Sequence, residues 1–151
     1  MKIAIGSDHA GYELKEKIKK YLNMKNIQII DVGTNSIESV DYPDFAYEVA
    51  KNVVDKTAEK GILVCTTGIG IGIAANKVKG IRCGTCNDLI SVEMARKDND
   101  INVLAIGSRF VAEKQAIEIV EKFINTTFLG DEISGERHKR RVEKIIKIEN
   151  M

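Results

Sequence analysis

The sequence predicts an α/β fold: a doubly wound, five-stranded parallel sheet in a Rossmann-like three-layer sandwich. Apolar runs and amphipathic stretches alternate along all 151 residues, the pattern of strands and helices taking turns. The five apolar runs are short and nearly continuous, as strands buried on both faces must be. Right-handed crossovers then place helices on both sides of the sheet. No repeat, low-complexity segment or linker interrupts the alternation, so residues 1–151 are expected to form one domain.

The elements follow in order. A buried strand is expected over 2–6, and a helix over 12–22 carries Leu14, Ile18, Tyr21 and Leu22 at helical spacing. A second strand over 27–32 leads into a loop with Gly33, Asn35 and Pro43, then a helix from about 44 to 54. A third strand over 61–65 runs through a glycine-rich turn into a helix holding Ala74, Ala75 and Lys77. Strands over 81–86 and 102–106 flank a helix near 89–96. Ala116, Ile119, Val120, Phe123 and Ile124 mark an amphipathic helix, and a last one, about 135–149, carries Val142, Ile145 and Ile146.

Composition narrows the function. Apolar residues make up 44% and charged residues 30%, an ordinary globular balance. A net charge of +1 gives no overall field that would draw the chain onto nucleic acid or acidic lipid. No apolar run reaches the roughly 18 residues a membrane span needs. The opening MKIAIG reads as a core strand rather than a signal peptide, so a cytoplasmic location is expected. Three cysteines give no disulfide framework. Cys83 and Cys86 spell C-x-x-C, but on a strand residues three apart face opposite ways, so core packing is their expected role.

In a doubly wound sheet, ligands bind beyond the C-terminal ends of the strands. After the first strand comes Gly6-Ser7-Asp8-His9-Ala10-Gly11, where Ser7 or Asp8 could cap the next helix and His9 could be a solvated loop residue or a ligand. After the third comes Cys65-Thr66-Thr67-Gly68-Ile69-Gly70-Ile71-Gly72. Its glycines allow a tight turn that exposes successive N–H groups, a nest suited to an anion. This run is neither a P-loop nor a dinucleotide fingerprint, and no nicotinamide cofactor is indicated. Cys65 could be a buried packing residue. Placed beside a nest and a helix N-terminus, it is also poised to act as a thiolate base or nucleophile.

After the fifth strand, Gly107-Ser108-Arg109 puts a guanidinium near the same rim. The basic run Gly135-Glu136-Arg137-His138-Lys139-Arg140-Arg141 opens the last helix. Arg137 and Arg141 are four apart and share a helix face, which suits bidentate binding of phosphate. The bland alternative is a solvated charge run, and the lack of interleaved aromatics argues against a base-stacking surface.

Together the segments IGSDHAGYELK, SVDYPDFA, the Cys65 turn with IAANKVKGIR, NDINVLAIGSR and GERHKRRV resemble the type B ribose-5-phosphate isomerases and their wider sugar-phosphate isomerase family. The resemblance implies conversion of ribose 5-phosphate to ribulose 5-phosphate through an enediolate, with neither metal nor organic cofactor. It implies a homodimer or homotetramer with active sites at the subunit interface, the C-terminal helix packing on a partner. Carried over by position, Cys65 is the base between C1 and C2, and the amides of Gly68, Ile69 and Gly70 hold the enediolate oxygen. Asp8, Tyr42 and Thr67 orient sugar hydroxyls, with Asp8 or Thr67 assisting proton transfer. His9, Arg109, Arg137 and Arg141 take the phosphate, and Asn99 contacts the sugar. The two histidines, His9 and His138, show no metal-ligand spacing.

Two positions depart from the family pattern. Many members carry a histidine, thought to open the sugar ring, where this chain has Asp98. Either Asp98 or His138 then takes that role, or the protein prefers an open-chain or different substrate. His138 is the expected one, since imidazole titrates near neutral pH and an ordinary aspartate cannot donate a proton there. The second is Thr66, which stands where glycine is usual, so the turn is either ordinary or strained. The alternatives are a galactose-6-phosphate or allose-6-phosphate isomerase and a non-catalytic sugar-phosphate sensor. A phospho-receiver is disfavoured, because Cys65 stands where its aspartate would be.

Overall fold

A computed structural model describes residues 1–151. Five strands, β1 (Lys2–Ser7), β2 (Gln28–Asp31), β3 (Lys60–Cys65), β4 (Cys83–Thr85) and β5 (Val103–Gly107), form one sheet. Its order is β2-β1-β3-β5-β4 and every pairing is parallel. Six α-helices connect or flank them: α1 (Tyr12–Met24), α2 (Tyr42–Val54), α3 (Ile69–Ala75), α4 (Leu89–Asn99), α5 (Glu113–Asn125) and α6 (Glu136–Ile148). None is long and apolar enough to cross a membrane.

Strand alternation builds two cores. Ile3 and Ile5, Ile62 and Val64, and Leu104 and Ile106 face one side, where Ile18, Val92 and Phe123 of α1, α4 and α5 cover them. Ala4, Leu63, Cys65, Val103 and Ala105 face the other, under α2 and α3. This is the three-layer sandwich expected, with both faces dry. Cys83 and Cys86 also separate as expected, since Cys86 belongs to the first core and Cys83 packs on the second. Burial pushes the Cys83 thiol up to about 12 and Cys86 upward too. Both stay protonated packing groups.

Several boundaries differ from expectation. The helix after the third strand begins at Ile69 and ends at Ala75, so Gly70 and Gly72 lie inside it and Lys77 outside. The fourth strand shrinks from 81–86 to Cys83–Thr85, because Ile81 turns back onto Val78 O and the Arg82 N–H is taken by the Asn102 side chain. Helix α2 starts two residues early, with Pro43 in the first turn, where its missing N–H costs nothing. Helix α4 runs to Asn99 and stops at Asp100 in the left-handed region, φ 47°.

Strand β4 is an edge, and it is blunted. The Asn76 side chain donates to Cys83 O and accepts from Cys83 N, at 2.9 and 2.8 Å, filling the place of a neighbouring strand. Along the lower edge, α6 packs on α4 and on the 3₁₀ turn Leu129–Asp131. It buries His138 and Val142 and leaves Ile145, Ile146 and Ile148 exposed.

Candidate active site

From β1 the chain moves outward to β2, and from β3 it moves the opposite way to β4. The strand order therefore switches direction between β1 and β3, which opens a crevice above their C-terminal ends. Asp8 follows β1 and Cys65 ends β3, so the two flank that crevice. Backbone bonds lock its floor. Asp8 N donates to Val64 O at 3.3 Å, Ser108 N to Cys65 O at 2.8 Å and Arg109 N to Thr66 O at 3.0 Å.

Cys65 sits at the upper margin of the second core and is only 5% exposed. Its sulfur accepts the Gly68 N–H at 3.1 Å. Gly68 can aim that N–H downward because it is left-handed, φ 79°, a conformation that a side chain disfavours. Thr66, by contrast, has an ordinary negative φ. Gly68 alone takes the left-handed step of this turn, so Thr66 carries no positive-φ strain. The Ile69 N–H is bound by Thr67 Oγ1 at 3.2 Å, whereas no acceptor in the chain reaches the Gly70 N–H at the same helix start. One sulfur and one free amide thus share a wall.

The other residues of this rim each have a fixed partner. Asp8 is 5% exposed, and its Oδ1 accepts the Gly11 N–H at 3.1 Å, capping the 3₁₀ turn His9–Gly11 as its capping reading required. Its second oxygen makes no bond in the chain. His9 Nδ1 accepts the Val40 N–H at 3.2 Å, which leaves the ring proton on Nε2 as an outward donor. Tyr42, the first residue of α2, lays its ring on Gly70, so close that a Cβ there would lie 2.8 Å from Cζ. Arg109 is exposed beside the crevice.

Asp98, Asn99, Arg137, His138 and Arg141 lie elsewhere. Helix α4 leaves the top of β4 and descends 11 residues to Asn99, about 16 Å towards the N-terminal edge of the sheet. There Asp98 Oδ1 lies 3.6 Å from Nδ1 of His138, at the start of α6. Arg137 and Arg141 are exposed on that same helix. One chain thus carries two half-sets, at opposite ends of its sheet.

Three contributors escaped the sequence reading. Asn87, just past β4, accepts the Gly107 N–H at 2.7 Å and reaches Thr67 O at 3.4 Å, fastening the Thr67 turn to β5. Thr85 Oγ1 donates to Gly68 O at 3.1 Å. The strand-end rule could have flagged both, had the order of β4 and β5 been known. The third is Lys15, fully buried, which ion-pairs Asp31 at 2.6 Å and supports Gly33 beside Ser7. Elsewhere, no three His, Cys, Asp or Glu side chains group closely enough to hold a metal ion.

A doubly wound sheet with a thiol, a carboxylate and a free amide at its switch point defines an α/β protein built to bind a small polar ligand there. The family described as Ribose/Galactose Isomerase matches residues 3–145, and the chain belongs to it. Among curated relatives, ribose-5-phosphate isomerase B of Escherichia coli is 45% identical over 148 residues, covering 98% of this chain and 96% of that one. A solved ribose-5-phosphate isomerase B of Clostridium thermocellum superposes with a TM-score of 0.94 at 46% identity, covering 99% and 98% of the two chains. A Mycoplasma genitalium ribose-5-phosphate isomerase B solved with bound ribulose-5-phosphate gives a TM-score of 0.91 at 40% identity, covering 99% of this chain and 96% of that one.

Proposed function

We propose that the protein is a cytoplasmic isomerase interconverting ribose 5-phosphate and ribulose 5-phosphate, with each active site shared between two copies of the chain. The observation that carries this reading is the Cys65 sulfur beneath the Gly68 N–H, beside the free Gly70 N–H. Removing the C2 proton of an aldose pushes its electron pair into C1=C2 and leaves negative charge on the carbonyl oxygen. Pre-aimed amide donors are worth about 3–4 kcal/mol each against such charge. Cys65 takes the proton from C2 and returns it to C1, while the proton on O2 passes to O1, leaving a ketone at C2 and a hydroxyl at C1. Asp8, through its unbound oxygen, and Thr67 and Tyr42 orient the hydroxyls. His9 Nε2–H and Arg109 meet the phosphate.

The second half-set completes the site from a neighbour. Asn99, Arg137 and Arg141 lie too far from Cys65 to serve their own crevice, and a two-fold axis brings one copy's lower edge to the other's upper rim. Arg137 and Arg141 then grip the phosphate, Asn99 contacts the sugar and His138 opens the ring. Exposed Ile69 and Ile73 on α3, with Ile145 and Ile146 on α6, supply apolar surface for that contact. Whether two or four copies assemble, this pair is the unit. Three free thiols suit a reducing cytoplasm.

The test is a turnover panel of pentose 5-phosphates and hexose 6-phosphates, with sedimentation of the purified protein. Ribose 5-phosphate is expected to give the highest kcat/KM, from an assembly of at least two chains. A preference for galactose or allose 6-phosphate overturns the substrate. Binding without turnover of any sugar phosphate makes the protein a sensor, and an active monomer removes the shared site.

A further inference from the structure

The ring-opening step needs a group that takes one proton and gives it back, and the lower edge of the sheet holds two residues that can act as one. His138 is nearly enclosed, its side chain 7% exposed, while Asp98 is 28% exposed. Asp98 Oδ1 faces Nδ1 of His138 at 3.6 Å, and no other side chain or backbone group of the chain hydrogen-bonds the imidazole. That is an ion-pair distance, a few tenths of an ångström longer than a hydrogen bond. Contacts of this kind often tighten only once substrate is bound.

Both partners stand on braced supports. The end of α4 is clamped through Asp100, whose carboxylate takes Arg96 Nη1 at 2.7 Å and Arg82 Nη2 at 2.8 Å. Arg82 Nε also donates to Asn99 O at 3.1 Å and Asp100 O at 2.9 Å. On the other side, the turn before α6 is pressed so tightly that a Cβ on Gly135 would lie 1.7 Å from Leu129 O. The last turn of α4 and the first turn of α6 therefore meet in a fixed relation, and the Asp98–His138 approach follows from it.

We propose that Asp98 is a positioning residue for His138: its carboxylate holds the ring proton on Nδ1 and leaves Nε2 as the free nitrogen facing the neighbouring copy's substrate. This rests on the ring-opening role given to His138 above. Nε2 takes the proton from the anomeric hydroxyl. The electron pair of that O–H bond forms the C1 carbonyl, and the bond from C1 to the ring oxygen breaks. The ring oxygen then recovers the same proton from Nε2. No proton or electron is gained or lost overall. While the imidazole carries both protons, Asp98 supplies the opposite charge beside it, the role a buried carboxylate plays behind a catalytic histidine.

The chain has two histidines, so nitrogen-15 NMR can assign both with a His9→Asn variant. In the wild-type protein, His138 is expected to show the Nδ1–H tautomer, and in Asp98→Ala to shift towards Nε2–H. Kinetics use ribose 5-phosphate and erythrose 4-phosphate, an aldose that cannot close a furanose because its O4 carries the phosphate. Asp98→Ala is expected to lose roughly 10–100-fold in kcat on the ring-forming sugar, with KM little changed. On the open sugar it should stay within about twofold of wild type, and Asp98→Asn, which retains an acceptor oxygen, should recover part of the loss. A wild-type Nε2–H tautomer unmoved by Asp98→Ala, or equal losses on both sugars, overturns the proposal. If the wild-type protein turns over neither sugar, the proposed activity fails, while the tautomer measurement still decides the pairing.

Discussion

The N–H of Gly68 donates to the sulfur of Cys65 across 3.1 Å. This bond ties the left-handed turn to the thiol, and its consequences are separable by mutation. Cys65→Ala is expected to lower kcat by roughly 10²–10⁴-fold, the range for removing a general base. Affinity for a phosphate-bearing sugar, measured by calorimetry, should change little. Normal turnover in Cys65→Ala removes the sulfur from the chemistry.

Gly68 and Gly70 should respond differently to alanine. At Gly68 the positive φ is disfavoured for alanine, and the new Cβ would lie 2.9 Å from the Ile106 carbonyl carbon, which is backbone and cannot swing aside. A loss of about 1–3 kcal/mol in denaturant unfolding is expected, together with lost activity. At Gly70 the Cβ meets the Tyr42 ring, 39% exposed and free to rotate away. Gly70→Ala should therefore keep its stability within about 1 kcal/mol. It should raise KM as Tyr42 leaves the sugar.

Acid should expose the Lys15–Asp31 pair. Burial alone would raise the Asp31 carboxyl, but hydrogen bonds from Lys15, Lys19 and the Gly33 N–H outweigh it and hold the group below its ordinary value. A depressed carboxyl adds stability above its unfolded value of about 3.9, and that contribution disappears as the pH falls through the folded value. Unfolding followed from pH 6 downward should therefore steepen below about pH 4 in the wild type and less so in Asp31→Asn. At neutral pH that variant should be weaker by about 1–2 kcal/mol, less than for a fully buried pair, since Asp31 is exposed and Glu16 still faces the Lys15 ammonium at 2.9 Å. An unchanged acid slope would show that Asp31 does not set it.

Mixing two inactive variants tests the shared site. Cys65→Ala damages the upper half-set and the double variant Arg137→Ala, Arg141→Ala the lower one. In a mixed pair with composite sites, one site carries both defects and the other carries none. Unfolding and refolding equal amounts together should restore about a quarter of wild-type activity, since half of the pairs are mixed and each has one intact site. No recovery would place both half-sets in a single chain's site.

The layers of this fold were legible because burial on two faces leaves a mark in each strand. The continuous runs at 2–6 and 61–65 allow no solvent-facing reading. Cys65 and Asp8 could be found because the crevice of such a sheet always lies past its strand ends. Helix starts were less legible. The glycines after Cys65 read as a turn, yet Gly70 and Gly72 are helical, because Gly68 alone supplies the left-handed step and packing against Tyr42 and Thr85 requires small residues in the helix behind it. Local propensity disfavours glycine inside a helix, and tertiary contact overrides it here.

The sequence by itself determined the alternation of elements, the two dry faces and the residue types at each strand end, since these follow from hydrophobic periodicity and turn chemistry along the chain. Only the tertiary structure decided that β5 lies between β3 and β4 and that Asn87 therefore reaches Gly107 and Thr67. It also decided that Asp98 and His138, about 40 residues apart in the chain, meet at the edge opposite Cys65. Strand order and helix–helix contact depend on which surfaces bury each other. That choice is made between distant segments, and no local window of residues records it.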